Sequence, residues 1–392
     1  VQTPNKITTD SEGMALALEW AAKGMAITAP NPRIGCVIVR DGVVIGAGHT
    51  QPAGQAHAEI QAMRDAKARG HDVRGATAYV TLEPCSHYGR TPPCSNALVQ
   101  AGLGRVVAAM VDPNPLVAGR GMAQLEAAGI AVRQGVLAEQ AYELNIGFFT
   151  RMRHGRPWVR LKTAASLDGM TALDSGESQW ITSPEARADG HAWRARANAI
   201  LTGIGTVKAD DPQLTVRGVA APEGFKPIPP RRVIVDSRLD IALDARILQG
   251  EPCWIVAAVA HPDKEAALRA AGHEIIMLPN AHGKVDLAAL MLELGRREIN
   301  ELHVEAGSRL NASLLREGCV DELLVYLAPN LIGPGQGMFA LPPLAHLADK
   351  VALRFHAVCQ VGPDLRILAR FPASPRAQTG TPESSIESSK KN

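Results

Sequence analysis

Apolar residues recur at two periods along the chain, and the switches between them predict its elements. Residues 9–27 carry Met14, Leu18 and Ala22 at helical spacing, with Thr9 and Glu12 placed as a capping box. Next, 34–39 and 43–45 are short apolar runs of strand type, and Asp41-Gly42 between them signals a hairpin turn. A loop of Gly, Pro and polar residues over 46–56 leads into a helix over 57–69, stopped by Gly70. A strand over 76–82 then delivers Glu83, Pro84 and Cys85 at its end. Pro92-Pro93 suit the opening turn of a helix from Cys94 to residue 101. Strand 105–111, helix 120–128, strand 130–134 and a helix over 138–147 continue the alternation.

The basic, turn-forming segment RMRHGRP at 151–157 reads as a junction. Beyond it lie a strand over 158–164, a helix over 184–198 and strands over 199–202, 231–236 and 253–258. Helix 263–271, strand 274–278, helix 286–297, strand 301–305 and helix 308–317 follow. Strands over 321–327, 351–358 and 365–371 end the pattern, the last two an antiparallel pair broken by Gly362-Pro363. Strands alternating with helices predict layered α/β domains, divided as 1–152 and 157–371. From Pro372 the chain is Pro, Ser, Thr and Lys with almost nothing apolar, so 372–392 reads as a disordered tail.

Composition narrows the picture. A length of 392 residues suits two domains, and 46% hydrophobic content supports sizeable cores. Lys and Arg number 41 against 39 Asp and Glu, a formal net charge of +2 that argues against bulk nucleic-acid binding. No apolar run reaches the length of a membrane span, and the start lacks a basic-then-apolar signal pattern. Six cysteines are too sparse for a disulfide framework in a chain this long, and two are needed as thiolates below. A reducing, cytoplasmic location is expected.

The chemistry concentrates in 57–94. His57, Cys85 and Cys94 offer one imidazole and two thiolates, a set suited to Zn2+, one ion per chain, with a fourth position open to water. Glu59, two residues past His57, is placed to shuttle protons for that water. The pattern is the H-x-E…P-C…C arrangement of zinc deaminases. All three ligands are expected at helix starts, where the partial positive charge favours thiolate. A closed structural zinc would need a fourth protein ligand, for which His87 is the one close candidate. Eight residues separate the two cysteines, and this long loop adds His87 and Arg90, groups suited to a phosphorylated substrate.

NPRIGCVIV, HAE and TLEPCSHYGRTPPC together resemble the bifunctional deaminase/reductase family of riboflavin biosynthesis. The resemblance implies a cytidine-deaminase-like three-layer α/β domain first, then a dihydrofolate-reductase-like α/β domain. It implies hydrolysis of an exocyclic amine from a phosphoribosylated diaminopyrimidinone, with Asn31 on the pyrimidine edge and His49 in the same pocket. Arg90 then lies beside the phosphorylated substrate.

The second half has weaker motifs: LKTAASLDGM at 161–170, SGESQWITS at 175–183, GIGTVKADDPQLTVR at 203–217 and VEAGSRLNASLL at 304–315. The last places a Gly-containing loop between a strand and a helix, a ready phosphate cradle. No G-x-G-x-x-G follows an early strand, so a Rossmann site is not supported. In order, these segments resemble the reductase half of the same family. That resemblance implies NADPH contacts at Ala164, Trp180, Thr206, Asp210, Ser237, Gly307, Ser308, Arg309, Leu310, Asn311, Ala312 and Ser313. It implies substrate contacts at Ser178, Arg194, Leu214, Arg217 and Glu305, with Lys162 beside them at a strand end. Two consecutive activities on a small phosphorylated pyrimidine suit a homo-oligomer, a dimer or tetramer, with no nucleic acid or membrane partner. The competing reading is a nucleic-acid or nucleoside deaminase with an accessory C-terminal domain.

Overall fold

The computed structural model describes residues 6–88, 92–115 and 117–372. The tail expected over 372–392 therefore lies outside the described residues from 373 onward, and Arg90 lies outside them as well.

The first half forms α1 (Asp10–Ala22), β1 (Gly35–Arg40), β2 (Val43–His49), α2 (Ala58–Ala68), β3 (Thr77–Val80), α3 (Cys94–Gln100), β4 (Arg105–Ala108), α4 (Arg120–Ala127), β5 (Ala131–Gln134), α5 (Ala138–Leu144) and α6 (Ile146–His154). The capping box on α1 is present, Thr9 taking the Glu12 N–H and Glu12 returning to the Thr9 backbone. Asp41 and Gly42 both have positive φ, as the β1–β2 turn requires. Five strands make one sheet in the order β2-β1-β3-β4-β5, with β1 antiparallel to both neighbours and β3, β4 and β5 parallel. Met14 and Ala17 of α1 and Ala141 of α5 cover one face. Ala62 of α2, Leu98 of α3, Leu125 of α4 and Phe149 of α6 cover the other, giving three layers.

The second half forms β6 (Trp158–Ser166), β7 (Met170–Leu173), α7 (Pro184–Arg196), β8 (Ala199–Gly203), α8 (Ile204–Asp210), β9 (Arg231–Val235), β10 (Trp254–Ala257), α9 (Pro262–Ala270), β11 (Glu274–Met277), α10 (Leu287–Arg296), β12 (Glu301–Val304), α11 (Ser308–Arg316), β13 (Glu322–Ala328), β14 (Gly335–Gly337), β15 (Arg354–Val361) and β16 (Asp364–Arg370). Nine strands form a second sheet, β11-β10-β9-β8-β12-β6-β13-β16-β15, parallel up to β13 and antiparallel beyond it. Strands β7 and β14 pair separately. Because strand side chains alternate, Val159 and Leu161 of β6 enter the core under α10 and α11. Arg160, Lys162 and Ala164 consequently face the α7 side of the sheet. Among the described residues no helix is long and apolar enough to cross a membrane.

Several sequence expectations need correction. The first helix ends at Ala22, and 23–27 are turns. The helix expected over 138–147 is broken at Asn145, whose side chain is drawn off to bond both backbone groups of Arg33 at 2.7 and 2.9 Å. The expected turn at 151–157 is helical through His154, and the chain turns at Gly155, which takes a positive φ. Helix α8 and strands β7 and β14 were not expected.

Candidate active sites

The end of the smaller sheet gathers the first site. Register pairs Gly35 with His49, and the Gly35 N–H donates to Thr81 Oγ1 at 3.1 Å. The loop holding Asn31, the end of β2 and the exit from β3 therefore meet at one edge. His57 is the N-cap residue of α2, and Glu59 follows in its first turn with 4% exposure. Cys94 opens α3. Cys85, expected at a helix start, instead sits in the irregular segment after β3. Two devices hold it there. The buried Glu83 carboxylate accepts the N–H groups of Asp112, Gly119, Gly121 and Met122 at 2.8–3.3 Å, tying down the segment before Cys85. The Cys85 carbonyl accepts from the Ser95 N–H at 3.1 Å and the Ser95 hydroxyl at 3.0 Å.

The ligand atoms of His57, Cys85 and Cys94 all lie within 4.8 Å of one another. His57 Nδ1 is 3.6 Å from Cys85 Sγ and 3.3 Å from Cys94 Sγ, and the Cys94 N–H points at Cys85 Sγ at 3.3 Å. Hydrogen bonding from the Cys94 thiol holds Cys85 well below the usual thiol range, while Cys94 itself is pushed up. Burial, and then the neighbouring Cys85 thiolate, raise the Glu59 carboxyl. One nitrogen and two sulfurs at this spacing fit a soft-to-borderline ion, zinc above all, with room for a non-protein ligand. His87 lies outside this cluster, so a closed four-ligand site is not formed by it.

His49 is buried and stacked on Trp20, with ring centroids 6.3 Å apart. Its Nδ1 lies 3.0 Å from the Thr50 carbonyl, and burial lowers its pKa, which favours the neutral imidazole. Asn31 is part-buried, with its N–H on the Thr28 carbonyl at 2.9 Å.

The second site is a cleft of about 1900 Å³ over the larger sheet. Sites for one small ligand run to roughly 300–1,000 Å³, so this cleft can hold a dinucleotide and a substrate together. Lys162, Ala164, Ser178, Trp180, Arg194, Thr206, Asp210, Leu214, Arg217, Ser237, Glu305, Gly307, Ser308, Arg309, Leu310, Asn311 and Ser313 all line it. Ala312 does not: it is 1% exposed, on the face of α11 turned into the core. Gly307 caps α11 without a side-chain bond, leaving first-turn N–H groups toward the cleft.

Arg194 grips Glu305 through Nε and through Nη2, the latter 2.9 Å from Oε2, and its Nη1 donates to the Thr215 carbonyl at 3.0 Å. Burial opposes ionisation of Glu305, but the Arg194 fork overrides it and holds the carboxyl well below the usual range. Burial also lowers the pKa of Lys162. Trp180 is exposed, with the Arg187 guanidinium 4.5 Å above its ring. Sequence reasoning missed Arg187, His191, Arg238, Arg246, Lys284 and Tyr326, all of which line the cleft. Tyr326 carried a signal, since it alternates in step with Leu324 along a strand-like run.

The comparisons with known proteins agree with this geometry. Residues 7–110 match the cytidine and deoxycytidylate deaminase zinc-binding region, and 157–367 match the RibD C-terminal domain. The riboflavin biosynthesis protein RibD of Escherichia coli K12 is 47% identical over 366 residues, covering 91% of this chain and 98% of that protein. RibD of Haemophilus influenzae is 45% identical, covering 90% and 95%. Among solved structures, Acinetobacter baumannii RibD is 41% identical with a TM-score of 0.83, covering 92% and 98%. A Thermotoga maritima diaminohydroxyphosphoribosylaminopyrimidine deaminase/5-amino-6-(5-phosphoribosylamino)uracil reductase is 30% identical with a TM-score of 0.81, covering 93% and 99%. The smaller sheet is thus a cytidine-deaminase-like fold and the larger a dihydrofolate-reductase-like one. With relatives this similar over nearly their whole lengths, the chain belongs to the RibD family of riboflavin biosynthesis proteins.

Proposed function

We propose that the chain performs two consecutive steps of riboflavin biosynthesis. Residues 1–152 hydrolyse the ring amine of a diaminopyrimidinone ribosylamino 5′-phosphate, and residues 157–371 reduce its ribosyl to a ribityl side chain with NADPH. The observation that carries this reading is the His57, Cys85 and Cys94 cluster with Glu59 buried beside it, on a chain that also bears the cleft.

In the first step His57, Cys85 and Cys94 hold one zinc, which supplies Lewis acidity that makes water a nucleophile near neutral pH. Glu59 passes one proton of the attacking water to the ring nitrogen and then carries the second, from the added hydroxyl, to the departing amine. Asn31 holds the pyrimidine edge, neutral His49 shares its pocket, and Arg90 is the cation for the substrate phosphate. Ammonia leaves.

In the second step Ala164, Trp180, Thr206, Asp210, Ser237 and the start of α11 hold the nicotinamide cofactor, which supplies hydride when bound. Ser237 Oγ accepts the Val285 N–H at 3.2 Å, next in sequence to Lys284, and Arg238, His282 and Lys284 all line the same cleft. That basic surround favours the extra phosphate of NADPH over NADH. Ser178, Leu214 and Lys162 flank the substrate, and Arg194, Arg217 and Glu305 orient its phosphorylated sugar. Six cysteines, all unpaired, fit a reducing compartment. The near-balanced charge disfavours a nucleic-acid substrate.

The test is purified protein with the diaminopyrimidinone phosphate and NADPH, following ammonia and NADPH absorbance. Both should change in turn. Ammonia without NADPH oxidation would remove the second step, and no ammonia would remove the first.

A further inference from the structure

The loop 30–33, which carries Asn31, is gripped from the larger-sheet half of the molecule at two points. The Pro30 carbonyl accepts from Asn300 Nδ2 at 2.9 Å. The Arg33 guanidinium donates to Glu301 Oε1 at 2.5 Å and to the Arg196 carbonyl at 2.6 Å. Asn31 stands between these anchors. Asn31, Asn300 and Glu301 also line one small cavity at the junction.

The anchors are themselves fixed. Arg151 Nε donates to Asn300 Oδ1 at 2.6 Å, which leaves the Asn300 amide N–H to face Pro30. Asn198 Oδ1 accepts the N–H groups of both Asn300 and Glu301 at 2.9 Å. The Arg33 backbone is bonded on both sides by Asn145. Arg33 and Glu301 are 7% and 1% exposed, so water does not compete with the pair. A Cβ added at Gly147 of α6 would lie 2.4 Å from the Asn300 carbonyl oxygen and 2.4 Å from Glu301 Cγ, so the two halves meet here without slack.

Adhesion alone would not require this arrangement. Glu301 is already paired with Arg160 at 3.0 Å and Arg196 at 2.6 Å, so Arg33 is a third cation on a neutralised carboxylate. What Arg33 gains is a fixed position, and with it the loop. The strand that supplies the grip, β12, ends beside Glu305 in the cleft. One strand thus touches the deaminase loop at its start and the reductase cleft at its end.

We propose that Asn300 and Glu301 are positioning residues for deamination, holding the 30–33 loop so that Asn31 meets the pyrimidine edge. The deaminase site then depends on the reductase half for its shape. This rests on the deaminase reading above.

The test uses the full zinc-loaded chain with Asn300→Ala, Arg33→Met and Arg33→Lys. Each loses or weakens one anchor and leaves Glu301 paired. The KM for deamination should rise about tenfold for Asn300→Ala and Arg33→Met, with kcat changed far less. Arg33→Lys should recover part of the loss. Zinc content and NADPH-dependent reduction of the deaminated product should match wild type. In an Asn31→Ala background, Arg33→Met should add nothing further, because the loop would have no contact left to place. An unchanged KM, equal losses in both reactions, or full additivity with Asn31→Ala would overturn the proposal. If Arg33→Met does not fold, Asn300→Ala decides by the same criteria. Ammonia release by the wild-type chain tests the underlying reading, and the variant-to-wild-type KM ratio tests the coupling.

Discussion

Arg194 and Glu305 are locked as a two-pronged pair in the cleft, Nη2 on Oε2 at 2.9 Å and Nε on the other oxygen. With Nη1 also on the Thr215 carbonyl, three of the five guanidinium donors are spent and two remain, enough for the substrate phosphate we propose it binds. The pair therefore presents an oriented cation to the ligand. A lysine at this position would keep the charge but lose the fork. Arg194→Lys should raise the KM for the reduction step about tenfold and leave ammonia release untouched. Steady-state kinetics of the two steps, run separately, checks this.

The Gly121 Cα faces the Pro84 carbonyl so closely that a Cβ there would stand 2.0 Å from its oxygen. Pro84 immediately precedes Cys85, so an added carbon pushes on the segment that carries a proposed metal ligand. Gly121→Ala should cost about 1–3 kcal/mol of stability from overpacking. It should also shed zinc to a chelator at a lower concentration than wild type. Zinc retention after chelator titration, beside urea unfolding, separates the two effects.

Glu59 supplies no ligand atom to the His57, Cys85 and Cys94 cluster and lies buried two residues from His57. Glu59→Gln keeps its shape and removes its basicity. Zinc content should stay stoichiometric while deamination falls by at least about a hundredfold, the range of a lost general acid–base group. Metal analysis and ammonia release on the same preparation check both halves.

How much of this was legible in the sequence depended on how local each interaction is. His57, Glu59 and Cys94 belong to short motifs at helix starts, so spacing alone exposed them. Cys85 was expected at a helix start along with the other two ligands. Its actual segment is set by Glu83 reaching N–H groups near residue 120, which no local pattern reports. The break at Asn145 has the same origin, a bond to Arg33 across 112 residues. Ala312 was recoverable: at helical spacing it shares the inward face of α11 with Leu315, so its side chain turns into the core. The Arg33–Glu301 pair, 268 residues apart, was invisible to any single-sequence pattern.

Asp10 yields a prediction in pH. Its carboxylate is held down to about 2, chiefly by hydrogen bonding from Arg105, with Tyr79 and Arg133 adding to it. Arg105 bonds it at 2.7 and 2.8 Å and Arg133 at 2.6 Å, stapling α1 to β4 and β5. The folded value lies below the ordinary carboxyl value of 3.8, so the folded state prefers the charged form. The stabilisation is therefore complete above the unfolded pKa and is lost as pH falls from there through about 2. Both arginines are partly solvated, and screening limits the gain to about 1 kcal/mol. Asp10→Asn should be less stable than wild type by that amount at pH 7. The gap should close between pH 4 and pH 2 as the wild-type carboxylate is protonated. Urea unfolding of both proteins across that range measures it, and a gap independent of pH would assign the loss to helix capping or packing instead of charge.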